Sequence, residues 1–157
     1  MSTTLAGLIQ HPFARQLWPD HIQKLATMAS DVHFSPGELI YREGDHSSFF
    51  YLLVTGTVSL EVVPPGHPVR IATLYEGEAL GWSSVLGDGG KRFQARALEE
   101  VQALAFDGAR LRHACEEDYA FGFFFMKALF GVVAERLQAT RAQIIGTYSP
   151  VAATGEE

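Results

Sequence analysis

Between residues 32 and 106 the apolar residues come in runs of three to seven, each closed off by glycine, proline or a polar turn, and no long helix can be drawn through that rhythm. The runs are 32–34, 38–41, 49–54, 57–63, 69–75, 93–98 and 101–106. Pro36-Gly37, Gly44-Asp45, Thr55-Gly56 and Pro64-Pro65-Gly66 stand between them, and each supplies a residue that tolerates positive φ or one whose φ is fixed. Short strands at regular spacing with such turn signals predict an antiparallel sandwich or barrel.

The flanks read as helix. Over residues 1–30, Pro19 falls in a first turn where its missing N–H is harmless, and Asp20 beside it suits the positive end of the helix dipole. Ile22, Leu25, Ala26 and Ala29 follow at i, i+3, i+4 and i+7, the pattern of an amphipathic cover. Asp107 predicts an N-cap for a short helix over 108–115. After Glu116-Glu117-Asp118 a longer helix, 118–147, runs on without proline. Phe123, Met126, Phe130, Val133, Leu137, Thr140, Ile144 and Thr147 alternate spacings of three and four, which is a heptad seam. A helix of about 30 residues spans roughly 45 Å, more than the β-region needs as cover. A second stripe, Phe121, Phe125, Ala128, Leu129 and Val132, is expected to pack on the sheet, leaving the seam for a second copy of the chain.

With 157 residues, 47% of them hydrophobic and 19% charged, the chain suffices for one domain, placed at 1–148, with residues 149–157 as a disordered tail. A net charge of −6 argues against a surface for nucleic acid or anionic membrane, because phosphate backbones are held by clustered Lys and Arg. Cys115 is the single cysteine, so no intrachain disulfide or Cys-based zinc site can form, which fits a reducing cytosol. The N-terminus lacks the basic and apolar regions of a signal peptide, and the apolar stretch 121–134, broken by Lys127, is short of a membrane span.

Residues 77–97 form the expected ligand cradle. Gly77 and Gly81 let the backbone turn sharply and approach a ligand, and residues 82–86 can form one helical turn whose N–H groups face an anion. Lys91 and Arg92 arrive just after a Gly-rich loop, where they either clamp a phosphate or lie solvated. Arg96, between inward Ala95 and Ala97, is expected to face solvent.

Gly77-Glu78, Leu80-Gly81, Ser84, Leu86 and Ala97 resemble the phosphate cassette of cyclic nucleotide-binding domains of the cAMP-receptor-protein (CRP/FNR) family. The resemblance extends to Pro36-Gly37-Glu38, Gly44-Asp45, Tyr51-Leu52-Leu53 and Gly56-x-Val58 upstream, and to Ala134-Glu135-Arg136-Leu137-Gln138-Ala139-Thr140 downstream. It implies an α+β fold: an antiparallel β-roll (jelly roll) with N-terminal helices and a long C-terminal dimerisation helix. It also implies ligand contacts from Gly81, residue 82, Ser83, Ser84, the 91–93 segment and Thr140-Arg141. The contents of the cassette depart from the family. The glutamate that holds the ribose 2′-hydroxyl falls on Trp82, the phosphate arginine on Lys91 with Arg92 one step away, the small residues after it on Arg92 and Phe93, and the second base-contacting residue on Arg141. An indole donates a hydrogen bond but accepts none, so Trp82 reads either as a stacking platform or as a plug in the ribose space. Gly81-Trp82-Ser83 also resembles short, stand-alone members of the family, and the helix-turn-helix domain of its transcription factors is not found after residue 147.

No Gly-x-Ser-x-Gly elbow, Walker loop, His-Glu-x-x-His or cupin-type His-x-His set is present, and the six histidines lack ligand spacing, so neither enzyme nor metal site is expected. The expectation is a cytoplasmic, non-enzymatic sensor, dimeric through Phe123, Met126, Phe130, Val133, Leu137, Thr140 and Ile144. It binds a small anionic ligand, a cyclic nucleotide or a relative of one, and signals to a protein partner without touching nucleic acid or membrane itself. The rival expectation is an interaction module that kept the fold and lost the pocket.

Overall fold

The computed structural model describes residues 3–46, 48–87 and 93–147. Helix α1 (Thr3–Gln10), a 3-10 helix (Pro12–Gln16) and α2 (Pro19–Met28) precede the strands β1 (Ala29–Phe34), β2 (Leu39–Tyr41), β3 (Phe49–Thr55), β4 (Val58–Val62), β5 (Val69–Leu74) and β6 (Ala79–Leu80). The short α3 (Ser83–Leu86) leads to β7 (Gln94–Ala97) and β8 (Val101–Asp107), and α4 (Gly108–Glu117) and α5 (Tyr119–Thr147) close the order. The strands form two antiparallel four-stranded sheets, β1-β8-β3-β6 and β2-β7-β4-β5, so the chain is an α+β protein built on a β-roll.

Strands β3 and β8 show almost no polar alternation because their sheet is covered on both faces. Phe50, Leu52, Leu104 and Phe106 pack with Leu8, Phe13, Leu25, Leu111, Phe121 and Phe125 of the helices. Their neighbours Tyr51, Leu53, Ala103 and Ala105 face the roll interior, with Val58, Leu60, Leu74, Leu80 and Ala95. Burying one such Leu or Phe side chain contributes about 1.5–3 kcal/mol, so the two clusters together hold the sheets and the helical layer.

One turn design recurs three times. In Ser35–Glu38, Arg42–Asp45 and Tyr75–Glu78 the third residue is a glycine with φ of 85°, 90° and 86°. In each, the fourth residue's amide donates to the first residue's carbonyl at 3.0, 3.1 and 3.1 Å. Its carboxylate in turn accepts from the first residue's amide at 2.8, 2.9 and 2.7 Å. These are type II turns, whose third position needs positive φ, locked by a carboxylate.

The N-terminal 30 residues are not one helix. His11 caps the 3-10 helix by accepting from the Phe13 amide at 3.2 Å, Leu17 and Trp18 are extended, and Pro12 and Pro19 each sit at the start of a new segment. Proline can begin a helix but cannot lie inside one without losing a hydrogen bond. Ala29, read as the last helical position, instead opens β1 opposite Phe106: sheet pairing overrides helix periodicity there. The two-residue β6 was not foreseen as a strand; it pairs with Leu52 and Tyr51.

Helix α5 carries both expected stripes. Phe121, Phe125, Ala128 and Leu129 are buried, whereas Phe123, Phe130, Leu137, Thr140 and Ile144 are exposed and Met126 and Val133 half-buried. From residue 137 to 146 no side chain is buried. The side chain of Thr147 lies outside the described residues.

Candidate functional site

The cradle hangs on β3. The Leu53 carbonyl accepts from the Gly77 amide at 3.0 Å and from His11 Nε2 at 2.9 Å, and the Leu53 amide donates to the Glu78 carbonyl at 2.9 Å. Ala79 and Leu80 then pair with Leu52 and Tyr51, and Gly81, with φ of 79°, turns the chain into α3. The Ser84 amide and hydroxyl both donate to the Gly81 carbonyl, at 3.0 and 2.7 Å, which closes the turn on itself. Helix α4 braces α3 from behind: a Cβ built on Gly108 would lie 2.3 Å from the Ser84 carbonyl oxygen, so only glycine allows this approach. Gly87, with φ of 75°, ends α3 beneath the Arg112 guanidinium.

Of the residues singled out in the sequence, Gly81, Trp82, Ser83 and Ser84 stand together at the start of α3. Ser84 is buried and committed to the turn, and Ser83 is half-buried. Trp82 is half-buried and packs against the helix-side core, which lies across the first sheet from the roll interior. Phe93 is exposed just ahead of β7, while Lys91 and Arg92, like the tail from residue 148, lie outside the described residues. Thr140 and Arg141 are exposed on the outer part of α5, with the Thr140 hydroxyl donating to the Arg136 carbonyl at 2.9 Å. Arg96 is not simply solvated: its Nε lies 3.4 Å from Glu61 Oε1 and its guanidinium donates to the Gly37 carbonyl at 3.0 Å.

The contact between α5 and the cradle is made by Arg136, whose guanidinium lies 3.8 Å from Glu78 Oε1. A small cleft of about 130 Å³ sits at this joint, with His11, Gly77, Glu78, Gly131 and Arg136 in its walls. The sequence contained both partners, Arg136 inside the dimer-helix motif and Glu78 inside the cradle, but nothing in their spacing of 58 positions announced the pairing.

Burial dominates the electrostatics. It pushes the pKa of His11 down, against hydrogen bonds to the Leu53 and Glu78 backbone, so a neutral imidazole donates from Nε2 to Leu53 and accepts at Nδ1 from Phe13. In the roll, burial pushes the Tyr41 hydroxyl far up, helped by Tyr51 and opposed by the positive charge of Arg136; burial also raises Tyr51. Both phenols therefore keep their protons at neutral pH, and Tyr41 feels the positive charge of Arg136 from α5. Glu61 is raised by burial but pulled below its usual range overall by Gln94, Ser59 and Arg96. Its partner Gln94 donates at 2.7 Å from the neighbouring strand β7. The buried Cys115 thiol is pushed up to about 11 by desolvation, so it packs as a small apolar group. No group of three or more metal-binding side chains is found among the described residues, and none of the described helices is long and apolar enough to cross a membrane.

A β-roll with a glycine-turned cradle, and a long helix whose Arg136 reaches Glu78 of that cradle, defines a class. The family model of the cyclic nucleotide-binding domain matches residues 31–118, and the chain belongs to that family. The cAMP-dependent protein kinase regulatory subunit of Dictyostelium discoideum is 28% identical over 104 residues, covering 60% of this chain and 32% of that protein. The chain therefore spans about a third of this curated relative's length. Among solved structures, a cyclic nucleotide-binding domain from Methylobacillus flagellatus superposes with a TM-score of 0.82 at 13% identity, covering 95% of this chain and 86% of that one. The Thermus thermophilus catabolite activator protein gives 0.69 at 22% identity over 85% of this chain and 61% of that one. At such identities these two likenesses speak for the fold.

Proposed function

We propose that the chain is a non-enzymatic, cytoplasmic sensor domain, formed by residues 1–148, that binds a small anionic ligand of cyclic nucleotide type between the cradle and the roll. The observation that carries this reading is the cradle itself: two positive-φ glycines and the braced start of α3, held to β3 beside a roll that holds the phenols of Tyr41 and Tyr51, with Arg136 of α5 paired to Glu78 of the cradle. The ligand's phosphate meets the start of α3 together with Lys91 or Arg92, and its base reaches toward Thr140 and Arg141. Trp82 leaves the ribose hydroxyl without a charged acceptor. A hydrogen bond to a charged group contributes about 1.5–3 kcal/mol, so affinity for cAMP is roughly one to two orders of magnitude below that of a cradle with glutamate at this position.

The seam of α5 joins two copies. Its outer part, residues 137–146, is unburied in the single chain and carries Leu137, Ile144 and Ile145 outward. A helix end of that length is marginal alone in water, and a two-fold contact is the commonest way to cover it. Ligand binding shifts α5 through the Glu78–Arg136 pair, and the dimer passes that change to a protein partner; any effect on DNA runs through such a partner.

The second reading, a module that kept the fold without the ligand, is favoured by Trp82, which belongs to the helix-side core. Thermal-shift screening with cAMP, cGMP and linear nucleotides separates the two, because a ligand at about 100 Kd adds roughly 2.7 kcal/mol of stability. A shift with a cyclic nucleotide supports the sensor; none at millimolar concentration supports the module.

A further inference from the structure

We infer that His11 is a positioning residue that makes the cradle sensitive to protons: one proton added to its imidazole frees the turn Tyr75–Glu78 from β3. The ring is 4% exposed and stands where three segments meet, the 3-10 helix that it caps, the cradle and α5. Two backbone bonds clip the turn to Leu53, from the Gly77 amide to the Leu53 carbonyl and from the Leu53 amide to the Glu78 carbonyl. His11 Nε2 is a second donor to that same Leu53 carbonyl. The next residue, Pro12, backs the turn as well: a Cβ built on Gly77 would lie 3.2 Å from the Pro12 Cγ.

The partners allow the ring one state. A carbonyl only accepts, so Nε2 carries a hydrogen toward Leu53; an amide only donates, so Nδ1, 3.2 Å from the Phe13 nitrogen, carries none. A second proton would sit on Nδ1 and point at the Phe13 N–H, donor against donor, where burial already disfavours charge. The charged ring therefore leaves for water, the 3-10 helix loses its cap, and Leu53 loses one of two donors. Phe13 packs on Phe50 and Phe125 with ring centroids 5.5 and 5.4 Å away, so the core holds it and the break falls at His11 and the turn beside it.

Charged groups reach this joint from several walls. The turn brings Glu76 and Glu78, α5 brings Glu135 and Arg136, and Arg15 of the 3-10 helix is exposed. Helix α1 carries no charged residue, and the one titratable group of β3, Tyr51, faces the roll interior. His11→Gln leaves all of these in place, so the difference between the two proteins reports the imidazole. With the turn open the ring titrates near the ordinary 6.5, and with the turn closed burial sets it lower. The hold is complete above 6.5 and is lost as pH falls toward the closed-state value. The consequence for affinity rests on the ligand reading: a cyclic nucleotide that needs the closed turn binds more weakly in acid.

NMR of the full chain reads ring and turn together. Long-range ¹H–¹⁵N spectra show a neutral ring protonated at Nε2. Amide exchange shows the protection of Gly77 falling relative to that of Leu60 in β4 as pH drops from 7.5 to 5, by up to about tenfold per pH unit below the ordinary value. Neither His11→Gln nor His11→Asn, each folded, shows that fall. A ring protonated at Nδ1, a Gly77 protection that ignores pH in the wild type, or the same fall in both variants overturns the inference. Titration calorimetry with cAMP at pH 7.5 and 5.5 reads the ligand side: the wild type loses up to about tenfold in affinity and His11→Gln does not. Unchanged wild-type affinity at pH 5.5 also overturns the inference. Absence of cAMP binding at both pH values refutes the ligand reading instead, and the exchange of Gly77 still decides the role of His11.

Discussion

A single methyl group at Gly108 probes how the cradle is braced. The Cβ of Gly108→Ala would lie 2.3 Å from the Ser84 carbonyl oxygen, 2.6 Å from its carbon and 2.7 Å from its Cβ, and the first two are backbone that cannot swing aside. Helix α3 must therefore move off α4, and overpacking of this kind costs about 1–3 kcal/mol. Alanine recovers part of this through its better helix propensity, about 0.5–1 kcal/mol, leaving a net loss of about 1–2 kcal/mol. For a chain of this size each kcal/mol moves Tm by about 2–4 °C, so Tm falls by roughly 2–8 °C. Gly7→Ala is the control: it lies within α1 with nothing within 4 Å of its Cβ position, so the same substitution raises Tm by about 1–3 °C. Differential scanning calorimetry at one protein concentration reads both. If Gly108→Ala melts at or above wild type while Gly7→Ala behaves as stated, the close approach of α4 to α3 is wrong.

Val133→Glu combined with Leu137→Glu places charges along the seam and yields monomers in sedimentation velocity, and a wild type already monomeric at micromolar concentration refutes the dimer. His11 gives an acid-sensitive term: with its folded pKa below the ordinary 6.5, its contribution is complete above that pH and is lost as pH falls toward the folded value. His11→Gln keeps a donor for Leu53 without titrating, so its Tm falls less than wild type between pH 7.5 and 5; equal slopes contradict the assignment. Trp82→Glu restores a ribose acceptor and tightens cAMP or cGMP binding by about one to two orders of magnitude, whereas weaker binding by the variant shows that the cradle is misread.

The roll was legible in the sequence because its turns are. Gly37, Gly44 and Gly77 each precede an acid, and the structure uses each acid to lock a turn. The two stripes of α5 were legible because period fixes face: Phe121 and Phe125 are buried and Phe123 and Phe130 are not. The break after Gln10 was obscured by helix-like periodicity that runs through Pro12 and Pro19, and the start of β1 by pairing with a strand more than seventy positions away. The site was legible only locally. Gly77, Gly81 and the α3 turn announce themselves, but the pairing of Glu78 with Arg136, the placing of Tyr41 near Tyr51, and the turning of Trp82 toward the helices depend on how distant segments meet. Spacing along a chain carries no record of such meetings.

Isothermal titration of the purified chain with cAMP and cGMP tests the central claim most directly. The account predicts saturable binding of one cyclic nucleotide per chain, weakened when Lys91 and Arg92 are both replaced by alanine and strengthened in Trp82→Glu. No heat of binding at millimolar nucleotide from either the wild type or Trp82→Glu, with both proteins folded, would contradict it.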